Sequence, residues 1–174
     1  KTAYDNKAFD QLEGQIGTLK IFLSRLATKE SFWVFSGDEV ELKITDRENP
    51  SILILASDPG TQDINSALYS AVLNRTLRLV NSKHNLPGGI IADEFPTIYI
   101  HKIDNVVATA RSNRVAVLLG LQEIPQLRQF YKKEVADTIS AIVGNILSGS
   151  ARDKNTLEWL EKLFGKIKQK AFSQ

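Results

Sequence analysis

"GGIIADEFPTIYI", residues 88–100, is the stretch on which the fold turns. An apolar run, Ile90–Ile91–Ala92, stops at two adjacent acids, Asp93 and Glu94. Carboxylates are costly to bury without partners, so an apolar strand that ends on two of them opens onto something polar. In open α/β sheets that opening is where ligands sit, beyond the carboxyl ends of the strands. After a gap of about twenty residues, room for a crossover helix between parallel neighbours, "RVAVLLGLQ" (114–122) reads as a second buried strand. It closes on Gln122. Two carboxylates and a carboxamide on one sheet edge suit magnesium–triphosphate chemistry. Asp93 would hold Mg²⁺ through its water shell. Glu94 would orient or deprotonate an attacking water. Gln122 would bond that water or the terminal phosphate without adding charge.

An apolar run followed by Asp-Glu is Walker B in form, although many strands end in acids that only solvate a loop or cap a helix. A phosphate loop of the form G-x-x-x-x-G-K-[ST] is absent from the 174 residues. "GQIGTLK" (14–20) has the wrong lysine spacing and lies inside a helical pattern. Arg111 and Arg114 flank Ser112–Asn113, just before the second strand. Spacing alone makes them helix C-terminal charges favoured by the macrodipole. The functional alternative is an arginine offered to a neighbouring subunit's phosphate.

Working outward, residues 6–27 predict a long amphipathic helix, with Phe9, Leu12, Ile16, Leu19, Leu23 and Leu26 on one stripe. Gly14 and Gly17 interrupt it at about 1 kcal/mol each, so the expectation is a helix held by packing. "SFWVFSGDEVELKI" (31–44) predicts two β-runs about a Ser36–Gly37–Asp38 turn, and "PSILILAS" (50–57) a buried parallel strand. Residues 62–82 read as a helix wedged between layers, and 102–112 as the crossover helix. "EIPQLRQFY" (123–131) reads as a short helix with Pro125 near its first turn, continued over 133–142. "IVGNILSG" (142–149) reads as a short strand and 154–170 as a last helix, with Leu157, Leu160, Phe164 and Ile167 inward. This alternation predicts an α/β fold with a mainly parallel sheet and flanking helices.

Length allows one domain with its own core, and 43% apolar and 24% charged residues are ordinary for a globular protein. The absence of cysteine excludes disulfides, thiolate zinc sites and a cysteine nucleophile. His84 and His101 alone cannot build a histidine metal cage. A net charge of +2 is too small to argue for nucleic acid. Lys162, Lys166, Lys168 and Lys170 crowd the last helix, for which a solvated face is a simpler reading than a DNA contact. No run approaches the roughly 18 apolar residues of a membrane span, and no signal-peptide pattern opens the chain. A chain beginning at Lys1 is expected to be a piece of something longer.

The segment "IIADEFPTIYIHKIDNVVATARSNRVAVLLGLQEIPQLRQFYKKEVADTISAIVGNILSG" (90–149) resembles TraG/TraD-type type IV coupling proteins, above all the TraG branch of conjugative transposons and mobile plasmids. The resemblance runs over residues 32–165. It is carried by D-E-[FL]-P-T after an apolar strand, A-R-S before the next, L-x-x-Q-[ED]-x-x-Q-L with a following Tyr, and G-N-[IV]-x-S-G. It implies the second half of a RecA-like P-loop ATPase domain from a hexameric motor anchored in the bacterial inner membrane. Such motors join a relaxase–DNA complex to a type IV secretion channel and drive DNA transfer with ATP and Mg²⁺. By position, Asp93 and Glu94 are then Walker B, Gln122 the polar sensor and Arg111 an arginine finger acting across a subunit boundary. Residues 1–31 are the last helix of an all-helical insertion, and 32–174 the nucleotide-binding domain from Walker B onward. The chain departs from the family in lacking the membrane helices, the Walker A strand and most of the insertion. Lys132 also stands where family members often carry Gly. The resemblance therefore implies a fragment that is soluble, monomeric or dimeric, and inactive by itself, with no tightly bound nucleotide and with apolar surface exposed. Two alternatives are another RecA-like DNA translocase and a non-enzymatic protein- or DNA-interaction domain.

Overall fold

The computed structural model describes residues 8–56, 58 and 60–165. Among these, the order is α1 (Phe9–Leu26), α2 (Lys29–Phe35), α3 (Gln62–Val80), β1 (Gly88–Ala92), α4 (Ile103–Ala110), β2 (Val115–Leu119), α5 (Ile124–Ile142) and α6 (Lys154–Phe164). Single 3₁₀ turns cover Phe95–Thr97 and Arg111–Asn113. The result is mixed α/β: six helices around a two-stranded parallel sheet among the described residues. β1 and β2 pair from Gly88 opposite Val115 to Ala92 opposite Leu119, with α4 as the crossover.

Strand alternation gives the sheet two unlike faces. Ile90, Ala92 and Leu119 meet Leu77, Phe95, Ile103, Leu127, Tyr131 and Ile139, while Val117, with Ile90, packs against Val80, Ala110 and Val115. Ile91 and Leu118, register partners on the opposite face, remain 79% and 58% exposed. Tyr131 sits at the centre of the core, stacked on Phe95 (4.7 Å between centroids) and on Tyr99 (5.4 Å).

Four predicted strands do not form among the described residues: the two runs within 31–44, and those at 50–57 and 142–149. Residues 29–35 are the helix α2, because the Thr28 hydroxyl accepts the Ser31 N–H (3.1 Å) and caps a helical turn. Its aromatics do not decide between helix and strand by burial, since Trp33 is 82% exposed. Residues 50–56 have no regular structure, though the alternation of a strand survives. Ile52 (89% exposed) faces out, while Leu53 and Leu55 line a cavity of about 290 Å³ beside β1. A strand is made by its ladder of hydrogen bonds, and here a cavity stands where the ladder would be. Residues 143–150 likewise lack a strand partner, and Leu147 lies open to solvent.

The helices follow the sequence more closely. α1 forms as expected, but the packing expected to hold it does not: Phe9, Ile16, Leu19 and Leu23 are exposed, and its contact is with α3. α6 starts with Asp153 accepting the Thr156 N–H (3.0 Å) and is followed to Phe164. Lys162 lies on it, whereas Lys166, Lys168 and Lys170 fall outside the described residues. No helix among the described residues is long and apolar enough to cross a membrane.

Candidate functional site at the strand ends

Beyond the last ladder pair the two strands stay joined. Gly120 N–H donates to the Ala92 carbonyl and Phe95 N–H to the Gly120 carbonyl, each at 2.8 Å. Gly120 suits this closeness, because a Cβ there would stand 3.1 Å from Asp93 Oδ1 and press the carboxylate aside. Asp93 Oδ1 accepts the Glu94 N–H (3.0 Å). Glu94 itself is left-handed, φ 47° and ψ 44°, a conformation that is unfavourable for a residue with a side chain. The chain turns sharply there, and the Glu94 carboxylate meets the carboxamide of Gln122, with Nε2 donating to Oε1 over 3.2 Å. All three side chains are exposed.

The structure thus brings Asp93, Glu94 and Gln122 to one edge of the sheet. It does not bring Arg111 there. Arg111 opens the turn that leads into Val115, at the amino end of β2, and so lies on the opposite rim. Five strand residues, about 16 Å of rise, separate the two rims. Among the described residues Arg111 is exposed and makes no side-chain hydrogen bond or ion pair, while its turn is pinned. Asn113 Nδ2 donates to Asn81 Oδ1 (2.7 Å) and to the Asn81 carbonyl (3.2 Å). Arg114 has its own bond, to the Asn85 carbonyl (2.7 Å), at φ 59°.

Two residues to which sequence reading assigns no role hold this edge in place. The Tyr131 hydroxyl accepts the buried Ile100 N–H (2.9 Å) and donates to the Ile98 carbonyl (2.7 Å), clamping the loop that follows the acids. Burial pushes its phenol above the ordinary tyrosine range. Glu123, next to Gln122, accepts the N–H groups of Arg152 (3.0 Å) and Asp153 (3.3 Å) through Oε1. The Thr156 hydroxyl beside it and then the Arg152 N–H hold its carboxyl below the ordinary glutamate range. Both stand in the motif L-x-x-Q-[ED]-x-x-Q-L with its following Tyr, but the motif gives neither a role, since both act on backbone groups about thirty residues away in the chain.

Among the described residues no group of three His, Asp or Glu side chains could cage a metal. Two exposed carboxylates with a neighbouring amide do fit Mg²⁺, which keeps its waters and takes one or two carboxylates beside substrate phosphates. The cavity beside β1 is a separate feature: Asp93 and Glu94 line it, but the rest of its lining is mostly apolar and excludes Gln122.

No curated protein and no solved structure matches the chain. The family model described as the TraM recognition site of TraD and TraG matches residues 87–174, from the residue before β1 onward. That span is half of the chain and includes both strands, both acids, Gln122, Arg111 and Tyr131, so the chain belongs to the TraD and TraG family.

Proposed function

We propose that this chain is the Walker B half of a motor ATPase that couples a relaxase–DNA complex to a type IV secretion channel in conjugation. The observation that carries the reading is the Glu94–Gln122 pair, 3.2 Å apart at the carboxyl ends of paired parallel strands, in a chain of the TraD and TraG family. Bound Mg²⁺–ATP would supply the transferable phosphoryl group and a cation that offsets its charge. Asp93, exposed at the strand end, would hold the water shell of the cation. Glu94 would orient the attacking water and take its proton. Gln122, already donating to Glu94, would fix the direction of that carboxylate and offer its other N–H to water or phosphate. Because the 174 residues contain no phosphate loop, residues outside them would cradle the triphosphate.

Other parts of the reading follow from the family. A RecA-like sheet would extend beyond the two observed strands. Residues 1–31 would close a helical insertion, and 32–174 would form the second half of the nucleotide domain. The working assembly would be a hexamer at the cytoplasmic face of the inner membrane. Arg111, unpaired on its pinned turn, would reach the phosphates held by a neighbouring subunit. The family description supports a TraM-like relaxosome protein as partner of the matched region, along with relaxase and single-stranded DNA.

The test uses a longer chain that supplies the phosphate loop. Glu94→Gln should lower DNA-stimulated ATP turnover by roughly 10²–10⁴-fold, the usual worth of a positioned base, with nucleotide binding retained. Unchanged turnover would discard the Walker B role. It would favour the non-enzymatic interaction domain.

A further inference from the structure

We propose that Glu123 is the positioning residue of the strand-end carboxamide: bonded to the start of α6, it holds Gln122 against Glu94. Gln122 is exposed, and its side chain makes one bond, to an equally exposed carboxylate. A single exposed hydrogen bond does little to restrain a glutamine against its rotamer entropy. The restraint has to come from the backbone that carries it.

That backbone is fixed by a reciprocal lock between two helix starts. The N–H groups at a helix start have no partner within the helix. Here each helix provides for the other. Ile124 N–H, buried at the start of α5, donates to Thr156 Oγ1 of α6 (3.0 Å). Glu123, the residue that precedes α5, accepts Arg152 N–H and Asp153 N–H at the start of α6. Asp153 closes the ring by accepting the Thr156 N–H (3.0 Å). The lock begins one residue after Gln122, so the backbone that carries the carboxamide is tied to the start of α6. Arg152 and Asp153 face Glu123 with their backbone N–H groups, and the one charged side chain whose field acts on it is the Asp153 carboxylate, which opposes the lowering. The proposal deepens the strand-end reading and takes its catalytic meaning from it, but its geometry is independent of nucleotide.

The test is a ¹⁵N–¹H correlation spectrum of the 174-residue chain, following the side-chain NH₂ pair of Gln122 and the amide of Ile100. In the native chain the Gln122 pair should be shifted from the average of solvent-exposed glutamines. Glu123→Ala should move it to that average, while Ile100, clamped by Tyr131, keeps its shift and reports an intact fold. Glu123→Gln, which retains a carbonyl acceptor, should restore most of the native position. Thr156→Val keeps the shape of the side chain and removes the acceptor of Ile124, so it should move Gln122 in the same direction. It decides the matter if Glu123→Ala unfolds. An average Gln122 shift in the native chain would overturn the proposal. So would an unmoved Gln122 pair in Glu123→Ala with Ile100 in place, or in Thr156→Val. Turnover of Gln122→Ala in the longer chain separates the two ideas: native turnover there would overturn the nucleotide role of Gln122, while the spectra still decide how it is positioned.

Discussion

Tyr131 carries two hydrogen bonds to the loop after the acids, and the N–H it receives is buried. Tyr131→Phe keeps the ring stacked on Phe95 but leaves the Ile100 N–H without a partner. The expected loss is about 1–3 kcal/mol, the usual penalty for an orphaned buried donor, read as a lower urea midpoint at unchanged m-value. The next residue, Lys132, has φ 63° and ψ 159°, a region that glycine alone occupies freely. Its side chain is exposed, so nothing in the packing requires lysine. The strain breaks α5 into two helical pieces and lets Tyr131 point into the core while residues 133–142 run on. The φ value is one that glycine would take without strain. Lys132→Gly should therefore stabilise the chain by roughly 1 kcal/mol, strain relief exceeding the added backbone entropy of glycine, with a higher urea midpoint as the measurement. A lower midpoint would show that the kink is not strained.

Among whole elements, the lock between α5 and α6 makes a prediction about pH. The Glu123 carboxyl is depressed in the folded chain, first by the Thr156 hydroxyl and then by the Arg152 N–H. A depressed carboxyl stabilises the fold fully above its unfolded value, about 4.3 for glutamate, and loses that contribution as pH falls through the lower folded value. Glu123→Gln should be less stable than the native chain at neutral pH, and the gap should close below about pH 4. Asp46, whose carboxyl is held down by Lys43, titrates in both chains and cancels in the difference. Urea midpoints of the two chains from pH 7 to pH 3 would check this; a constant gap would mean that the charge of Glu123 is irrelevant. Elements of this kind were only partly legible. Helices with a 3.6 period, 9–26, 62–80, 103–110, 124–142 and 154–164, follow from the apolar spacing because a helix makes its own hydrogen bonds. The runs at 31–44, 50–57 and 142–149 have strand composition but form no strand among the described residues, because a strand depends on a neighbour that composition does not specify. The same logic applies to the site. Asp93, Glu94 and Gln122 could be read because each ends an apolar run, whereas Glu123 and Tyr131 stand in a motif that does not show the distant backbone groups on which they act.

For the whole molecule the decisive fact is that the polar edge and the arginine turn occupy opposite rims of one sheet. Asp93, Glu94 and Gln122 follow the carboxyl ends of β1 and β2; Arg111 precedes the amino end of β2. About 16 Å of strand lies between, more than twice what an extended arginine side chain spans, so Arg111 cannot act on the edge of its own subunit. It is also not spent on structure: among the described residues its side chain is unpaired, while Asn113 and Arg114, two and three residues on, anchor the turn. An exposed cation on a fixed mount is suited to a partner's anion, and in a ring of identical subunits that anion would lie on the polar edge of the next. This gives a sharp expectation in the longer, assembled chain. Arg111→Ala alone and Glu94→Gln alone should each abolish turnover. Mixed before assembly, they should recover a share of it. Recovery comes from interfaces that join the intact Glu94 of an Arg111→Ala subunit to the intact Arg111 of a Glu94→Gln subunit. If Arg111 served its own subunit, every subunit in the mixture would lack one group and no turnover would return. ATP hydrolysis against mixing ratio distinguishes the two cases, because recovery from paired defects peaks at an equal mixture and vanishes at either pure end.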